Sequence, residues 1–210
     1  MLKVGLTGGV ACGKTTVGEM FVSLGAHLAL ADKIAHDLMQ PAQEVYKKVV
    51  AAFGDQILNE DGTINRPSLA NAAFPTGRIT ELNAIVHPPV IDAQEEWMRS
   101  IFRKDPKAIA IVEAALLLES GSWQHFDRLI TVTCSPDQKI ERFARRHDMP
   151  LEIARDEVNR RQKAQASDAD KQRVSQYVID NSGSLDRTRE QVSRIWIELK
   201  KLSLQKAFSC

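Results

Sequence analysis

The feature that most constrains this chain is a glycine-rich segment close to its start. Residues 8–15 read Gly-Gly-Val-Ala-Cys-Gly-Lys-Thr and match the pattern G-x-x-x-x-G-K-[ST] in full. A strand-like run, residues 2–7, precedes the segment, and residues 16–21 after it have helical character. A loop in this context gathers backbone N–H groups at the positive end of a helix. The sequence therefore predicts a P-loop that binds the phosphates of a nucleoside triphosphate.

The loop residues have separate expected roles. Gly8 and Gly13 allow the backbone to curl inward. Lys14 is expected to reach the β- and γ-phosphates, and the Thr15 hydroxyl to coordinate a bridging Mg²⁺. Cys12 can also be no more than a small residue that the loop tolerates, and the whole segment can be a turn that binds nothing. The residues expected to contact the nucleotide are Gly9, Val10, Ala11, Cys12, Gly13, Lys14, Thr15 and Thr16.

Five short apolar runs predict buried strands, and longer helical stretches separate them, which is typical of an α/β fold with a parallel sheet. In the last helix, residues 185–204, apolar side chains recur every three or four residues and predict a face that packs on the sheet. That face carries Val192, Ile195, Trp196, Leu199 and Leu202. The predicted strands are residues 2–7, 27–31, 108–113, 128–134 and 176–180.

The stretch between the second and third strands is too long for one crossover helix. It reads as several helices and predicts an inserted helical substrate domain, residues 33–106. A polar stretch rich in Arg and Asp, residues 136–174, predicts a lid. The expected core is then residues 1–32, 107–135 and 175–204. The expected breaks between helices of the insertion lie at Pro41, Gly62, Pro67, Pro75 and Pro88.

Composition excludes several classes of protein. The net charge is +1, and positive and negative side chains are mixed along the chain. Overall charge therefore gives no reason to expect binding to nucleic acid or membranes. The longest apolar runs, such as residues 114–118, are far too short to span a bilayer. Three cysteines without metal-type spacing, and an N-terminus that enters a strand directly, predict a protein of the reducing cytoplasm.

A P-loop does not by itself separate kinases from GTPases, motors or nucleotide-binding regulators. The chain has no Asn-Lys-x-Asp guanine motif, and residues 180–183 match D-x-x-G only near the far end. Asp32 ends the predicted second strand, and ligands bind at the carboxyl ends of parallel strands. A carboxylate there can accept the proton of an attacking hydroxyl, although it can equally cap the next helix. Asp32 therefore favours a kinase.

An ordered set of motifs resembles the dephospho-CoA kinase family over nearly the whole chain. The resemblance implies an α/β nucleoside-monophosphate-kinase-like fold, a five-stranded parallel sheet flanked by helices. It also implies ATP-dependent phosphorylation of the ribose 3′-hydroxyl of dephospho-CoA, the last step of coenzyme A biosynthesis, with Mg²⁺. The motifs are residues 5–9 (GLTGG), 31–35 (ADKIA), 82–88 (LNAIVHP), 116–121 (LLLESG) and 178–183 (VIDNSG).

The resemblance also implies roles on the acceptor and metal side. Asp32 would be the base and would contact the acceptor, and His87 would lie near the acceptor nucleotide. Glu113 would hold Mg²⁺ directly or through water. Alternatively, Glu113 caps a helix beginning near Ala114, and Pro88 next to His87 simply begins a helix.

Three further residues match family positions near ATP. Arg142 and Arg145 lie three apart on one helix face, and at least one would stabilise charge on the transferring phosphoryl group. Asn181 belongs to a loop that would hold the adenine through backbone groups. A solvated helix and a simple strand-to-helix turn explain the same residues.

Some positions depart from the family pattern. The family commonly has Asp, Arg, Pro and Asp where this chain has Leu30, His36, Ala115 and Gln176. These departures leave the P-loop and Asp32 intact. The P-loop and Asp32 alone would also allow a kinase for another small acceptor, of nucleoside monophosphate or shikimate type. The departures at Leu30, His36 and Gln176 keep open a non-catalytic ATP-binding regulator.

Overall fold

A computed structural model describes residues 1–74 and 77–208, which leaves the break expected at Pro75, and Cys210, outside the described residues. The chain divides into two compact units. Leu30–Trp97 forms the second unit, and Met1–Ala29 with the chain from Met98 onward forms the first. Within the described ranges, no helix is both long and apolar enough to cross a membrane.

The first unit is built on a five-stranded parallel sheet with the strand order β2-β3-β1-β4-β5. This confirms the expected architecture, and each observed strand boundary lies within one residue of the predicted one. The strands are β1 (Leu2–Gly8), β2 (His27–Leu30), β3 (Ile109–Glu113), β4 (Arg128–Thr133) and β5 (Tyr177–Asp180).

The described α-helices lie between and after these strands along the chain. They are α1 (Lys14–Ser23), α2 (Ala31–Leu38), α3 (Glu44–Phe53), α4 (Arg66–Ala73), α5 (Ile79–Lys104), α6 (Pro136–His147), α7 (Leu151–Lys163), α8 (Asp168–Val174) and α9 (Leu185–Phe208). Two short 3-10 helices, Asp55–Ile57 and Ser122–His125, complete the regular structure of the described chain.

Strand β1 lies in the middle of the sheet because its apolar residues suit burial on both faces. It pairs in parallel with β3 on one side and β4 on the other, with Leu6 opposite Glu113 and Gly8 opposite Val132. A Cβ atom on Gly8 would lie 2.2 Å from the Val132 carbonyl oxygen. Since neighbouring parallel strands end at the same edge, the P-loop and the ends of β3 and β4 are brought together there.

Helices α1 and α9 pack on one side of this sheet. Val17 and Phe21 of α1 are buried in the same cluster as Val192, Ile195 and Leu199 of α9 and apolar residues of β1 and β3. Trp196 and Leu202 are partly buried against that cluster. The predicted apolar face of the last helix is confirmed, although the helix continues beyond residue 204.

The stretch 136–174 forms three helices of the first unit. Helix α6 begins where Ser135 accepts a hydrogen bond from the Gln138 amide and Pro136 occupies the first turn. Phe143 and Ile140 of α6 and Val158 of α7 share a small buried cluster with Val10 of the P-loop. The apolar contacts of these helices therefore reach the phosphate-binding loop itself.

The second unit consists largely of helices, from α2 to most of α5, around its own core of residues such as Val49, Phe53 and Leu69. The break expected at Pro88 is wrong. Pro88 and Pro89 lie inside the 26-residue helix α5, and the buried side chains of Val86 and Val90 pack into the core on either side of them. Tertiary packing therefore outweighs the local loss of a backbone donor.

Phe21 provides a test of the packing between α1 and the sheet. Because Phe21 is completely buried, Phe21→Ala should lower the free energy of unfolding by about 3–5 kcal/mol. The neighbouring Val22 is 44% exposed, and Val22→Ala should change that free energy by no more than about 0.5 kcal/mol. Urea unfolding followed by circular dichroism measures both variants, and equal effects would contradict the packing described here.

Candidate nucleotide site

The P-loop connects β1 to α1 through backbone conformations that most residues avoid. Gly8, Ala11 and Gly13 all have positive φ, at 151°, 55° and 85°. Gly13 precedes the first residue of α1, and a Cβ atom there would lie 2.4 Å from Asn181 Nδ2, so both conformation and space require glycine. The Lys14 ammonium donates to the carbonyl oxygens of Gly8 and Gly9, at 3.1 and 3.0 Å, which holds its charge over the loop.

Thr15 and Glu113 lie together at the carboxyl edge of the sheet. The Thr15 hydroxyl donates to Glu113 Oε1 over 3.0 Å, because β3, which ends at Glu113, is next to β1. A hydroxyl and a carboxylate are hard oxygen ligands of the kind that Mg²⁺ prefers, so this pair fits the ion. The alternative that Glu113 caps a helix beginning near Ala114 is wrong, since residues 115–120 form turns.

Asn181, which follows β5, is the polar residue that ties the loop to the sheet. It is 4% exposed. Its side chain donates to the Cys12 carbonyl oxygen over 2.8 Å and accepts from the Thr188 hydroxyl over 2.9 Å. Its backbone N–H donates to the Thr133 carbonyl oxygen at the end of β4. The side chain of Asn181 therefore supports the P-loop, a role that the family motif alone did not reveal.

Helix α6 reaches the same region through side chains that contact the loop after β5. Arg142 Nη2 donates to the Asn181 carbonyl oxygen over 2.9 Å, and Gln138 donates to the Ser182 carbonyl oxygen over 2.8 Å. The second nitrogen, Arg142 Nη1, is buried without a hydrogen-bond partner among the described residues and lies 3.9 Å from the Cβ position of Gly13. Arg142 therefore presents an unused donor beside the P-loop.

Arg145 and Thr16 have different surroundings from Arg142. Arg145 is exposed in the last turn of α6 and lines a cavity between α6 and α7 together with Glu141 and Leu151. Thr16 is exposed in the first turn of α1. Of the two predicted arginines, Arg142 is the one whose described contacts join it to the loop.

An ion pair beside Gly9, formed by a buried lysine and a partly exposed aspartate, was not predicted from the sequence. Lys139 of α6 is 3% exposed, and its ammonium lies 2.5 Å from Asp168 Oδ2 at the start of α8. A Cβ atom on Gly9 would lie 2.9 Å from Asp168 Oδ1 and 3.1 Å from Lys139 Nζ. Burial alone would lower the pKa of Lys139, but the Asp168 carboxylate and the sulfurs of Cys12 and Cys134 together outweigh burial and raise it. The charge of Lys139 therefore persists next to the loop.

Two positions that depart from the family pattern have structural partners. The Gln176 side-chain oxygen accepts from the Leu129 amide over 2.8 Å and so joins the start of β4 to the residue before β5. The Ala115 carbonyl oxygen accepts from the fully buried Lys171 ammonium over 3.2 Å. Lys171 also lies 3.6 Å from Glu119, so it fixes the turns after β3 to α8.

Asp32 and His87 belong to the second unit. The expectation that Asp32 ends the second strand is wrong, because β2 ends at Leu30 and Asp32 lies exposed in the first turn of α2. Asp32 does not cap that helix either, since Leu30 occupies the N-cap position. His87 is half-buried within α5, and burial lowers its pKa. Its ring is therefore held toward the neutral form.

The P-loop lies at the carboxyl edge of a parallel sheet, with the Thr15–Glu113 oxygen pair and Arg142 beside it. This arrangement defines the first unit as the nucleotide-binding core of a P-loop kinase. Solved structures share this fold. One, a protein of Thermus thermophilus, matches with a TM-score of 0.77 at 24% identity, over 94% of this chain and 97% of that one. A dephospho-CoA kinase from Campylobacter jejuni matches with a TM-score of 0.67 at 23% identity, over 95% and 97%.

Sequence comparison identifies the family. The family model for dephospho-CoA kinase matches residues 2–187. A dephospho-CoA kinase of Syntrophus aciditrophicus is 35% identical over 208 residues, 98% of this chain and 87% of that protein. Another, of Aquifex aeolicus, is 35% identical over 202 residues, 96% of this chain and 99% of that protein. The chain belongs to the dephospho-CoA kinase family.

The support that Asn181 gives to the P-loop can be tested by removing its amide. Asn181→Ala leaves the Cys12 carbonyl and the Thr188 hydroxyl without their partner, which should lower the free energy of unfolding by about 1–3 kcal/mol and weaken ATP binding. Ser182→Ala is the matched control, because the described contacts of Ser182 use its backbone. Chemical unfolding and titration calorimetry with ATP measure both effects, and identical behaviour of the two variants would count against this role.

Proposed function

We propose that this chain transfers the γ-phosphoryl group of ATP to the ribose 3′-hydroxyl of dephospho-CoA, giving coenzyme A and ADP. The observation that carries the proposal is the P-loop at the end of β1, with Lys14 held over it and an unused donor of Arg142 beside Gly13. Membership of the dephospho-CoA kinase family supplies the reaction and the acceptor. The two lines of evidence agree on a phosphotransferase that acts on an alcohol group.

Charge on the phosphates is balanced by cations that the fold holds in place. Lys14 is proposed to leave its loop carbonyls for the β- and γ-phosphate oxygens, where a cation stabilises the transition state. Arg142 is proposed to donate from Nη1 to the transferring group, while its contact with Asn181 keeps the guanidinium oriented. Backbone N–H groups of residues 9–16 would bind the remaining phosphate oxygens. Arg145 would join them through movement of residues 136–174, the proposed lid.

Thr15 and Glu113 are the residues that would hold Mg²⁺, because their oxygens already lie within hydrogen-bond distance of each other. When bound, the ion neutralises charge between the β- and γ-phosphates. The chain contributes a hydroxyl from the first turn of α1 and a carboxylate from the end of β3. These elements are neighbours through the sheet, so the pair is held by the fold and does not need to assemble around the ion.

The acceptor side is assigned to the second unit. Asp32 is proposed to accept the proton of the ribose hydroxyl. Its carboxylate is exposed in the first turn of α2, directly after β2, and is therefore accessible to an acceptor. His87 is proposed to contact the acceptor nucleotide as a neutral ring, in keeping with its lowered pKa.

The adenine of ATP is assigned to the loop at residues 181–183. We place the reaction in the cytoplasm, without a nucleic-acid or membrane partner, as the balanced charge of the chain suggests.

The experiment that tests this function measures ATP consumption with and without dephospho-CoA. Turnover that depends on dephospho-CoA, with a product phosphorylated at the 3′ position, is the expected result. Turnover with shikimate or a nucleoside monophosphate instead would identify a kinase for another acceptor. ATP binding without acceptor-dependent turnover would identify a regulator that has kept the loop and lost the acceptor site.

Substitution of Asp32 tests the proposed base. Asp32→Asn should lower the rate of transfer by about 100- to 10,000-fold, because an amide cannot accept the proton, while ATP binding stays nearly intact. Asp37→Asn is the control, since Asp37 is an exposed carboxylate on the same helix. Steady-state kinetics and ATP titration measure the two effects, and near-normal turnover in Asp32→Asn would remove Asp32 as the base.

Substitution of Glu113 tests the metal site. Glu113→Gln replaces a charged ligand with a neutral one, so the Mg²⁺ concentration for half-maximal activity should rise about tenfold or more. Glu19→Gln, on the exposed face of α1, should leave that concentration unchanged. The measurement is a Mg²⁺ titration at saturating ATP. A Mg²⁺ requirement that Glu113→Gln does not alter would contradict the assignment.

A further inference from the structure

Two cysteines that lie far apart in the sequence meet at the P-loop. Cys12 is within the loop, and Cys134 lies between the end of β4 and the Ser135 cap of α6. Their sulfur atoms are 3.5 Å apart, and the Cys134 thiol donates to the Cys12 sulfur. Cys12 is fully buried and Cys134 is 8% exposed. The two thiols are therefore held in contact by the fold, and neither has a role in the proposed phosphate transfer.

The surroundings favour the thiolate of Cys12. The hydrogen bond from Cys134 is the main cause that lowers the pKa of Cys12 to about 7. Burial and the Asp168 carboxylate oppose this change, and the positive charges of Lys139 and Lys14 add to it. Asp168 Oδ1, Lys139 Nζ and Cys12 Sγ lie 2.9, 3.1 and 3.3 Å from the same Cβ position on Gly9, so the Cys12 sulfur lies beside this ion pair. A cysteine with a lowered pKa and a second cysteine in contact with it is typical of pairs that form a disulfide.

We propose that Cys12 and Cys134 form an intramolecular disulfide on exposure to hydrogen peroxide, and that this bond disables the P-loop. In the first step the Cys12 sulfur attacks a peroxide oxygen, the O–O bond breaks, and water leaves after protonation, giving a sulfenic acid. In the second step the Cys134 sulfur attacks the sulfenic sulfur, the S–O bond breaks, and a second water leaves. Overall, two thiols lose two electrons and two protons, and the peroxide is reduced to water.

The expected effect on the loop follows from geometry. A disulfide requires the sulfurs to approach to about 2.05 Å, which brings them about 1.5 Å closer together. Cys12 stands between Ala11 and Gly13, both with positive φ, and its carbonyl is bound by Asn181. A backbone pulled toward β4 turns the N–H groups that face the phosphates. Loss of function rests on the proposed ATP site, whereas formation of the disulfide does not.

The test begins from a Cys210→Ser parent, which removes the third thiol. The parent is treated with hydrogen peroxide, digested without reductant and analysed by mass spectrometry, and ATP binding and turnover with dephospho-CoA are measured before and after. We expect a peptide that links residues 12 and 134, a kcat/KM for ATP lower by about tenfold or more, and recovery with dithiothreitol. Absence of the linked peptide would overturn the disulfide, and a linked peptide with unchanged ATP affinity would overturn its effect on the loop.

Cys134→Ser in the same parent is the matched control. It keeps Cys12 and removes its partner, so the linked peptide cannot form and ATP affinity should survive brief peroxide treatment. A loss of affinity equal to that of the parent would show that oxidation of Cys12 alone inhibits, which would overturn the role of the bond. If the reduced parent shows no turnover with dephospho-CoA, that result contradicts the proposed function, while the linked peptide and the ATP titration still decide the disulfide.

Discussion

The central position of β1 in the parallel sheet is the constraint on which the rest of the structure depends. Because β1 is hydrogen-bonded to β3 and β4, the three strands end at one edge, and the residues that follow them meet there. Glu113 reaches Thr15 in this way, and Cys134 reaches Cys12. A ladder of backbone hydrogen bonds inside the sheet thus sets the distances between side chains that lie outside it.

The P-loop itself has little regular structure, so other elements must hold it. One amide, that of Asn181, binds the Cys12 carbonyl, and an ion pair between Lys139 and Asp168 closes over Gly9. A single hydrogen bond of this kind contributes only about 1 kcal/mol to stability. Its larger effect is on orientation, since a nest of N–H groups binds phosphate only while its donors converge. The residues around the loop therefore hold its backbone in one conformation.

The sequence predicted the strands, the P-loop and the last helix well, because each is recorded locally as an apolar run, a short motif or a helical period. It failed where packing overrode a local signal. Pro88 lies within a helix that the buried residues beside it hold together, and Asp32 lies in the first turn of α2 and not at the end of a strand. The turns after Glu113 are held by the buried ammonium of Lys171. No sequence pattern near residue 113 indicates this contact.

By itself, the sequence determined an α/β chain with a P-loop and a resemblance to one kinase family, since spacing and side-chain type along the chain carry that information. Only the tertiary structure decided which distant side chains meet. Cys12 and Cys134 are 122 positions apart, and Cys12 and Asn181 are 169 apart, yet each pair is in contact. The physical reason is that parallel strands separated by helices bring their ends together, so contacts at that edge depend on strand order, which is a property of the folded sheet.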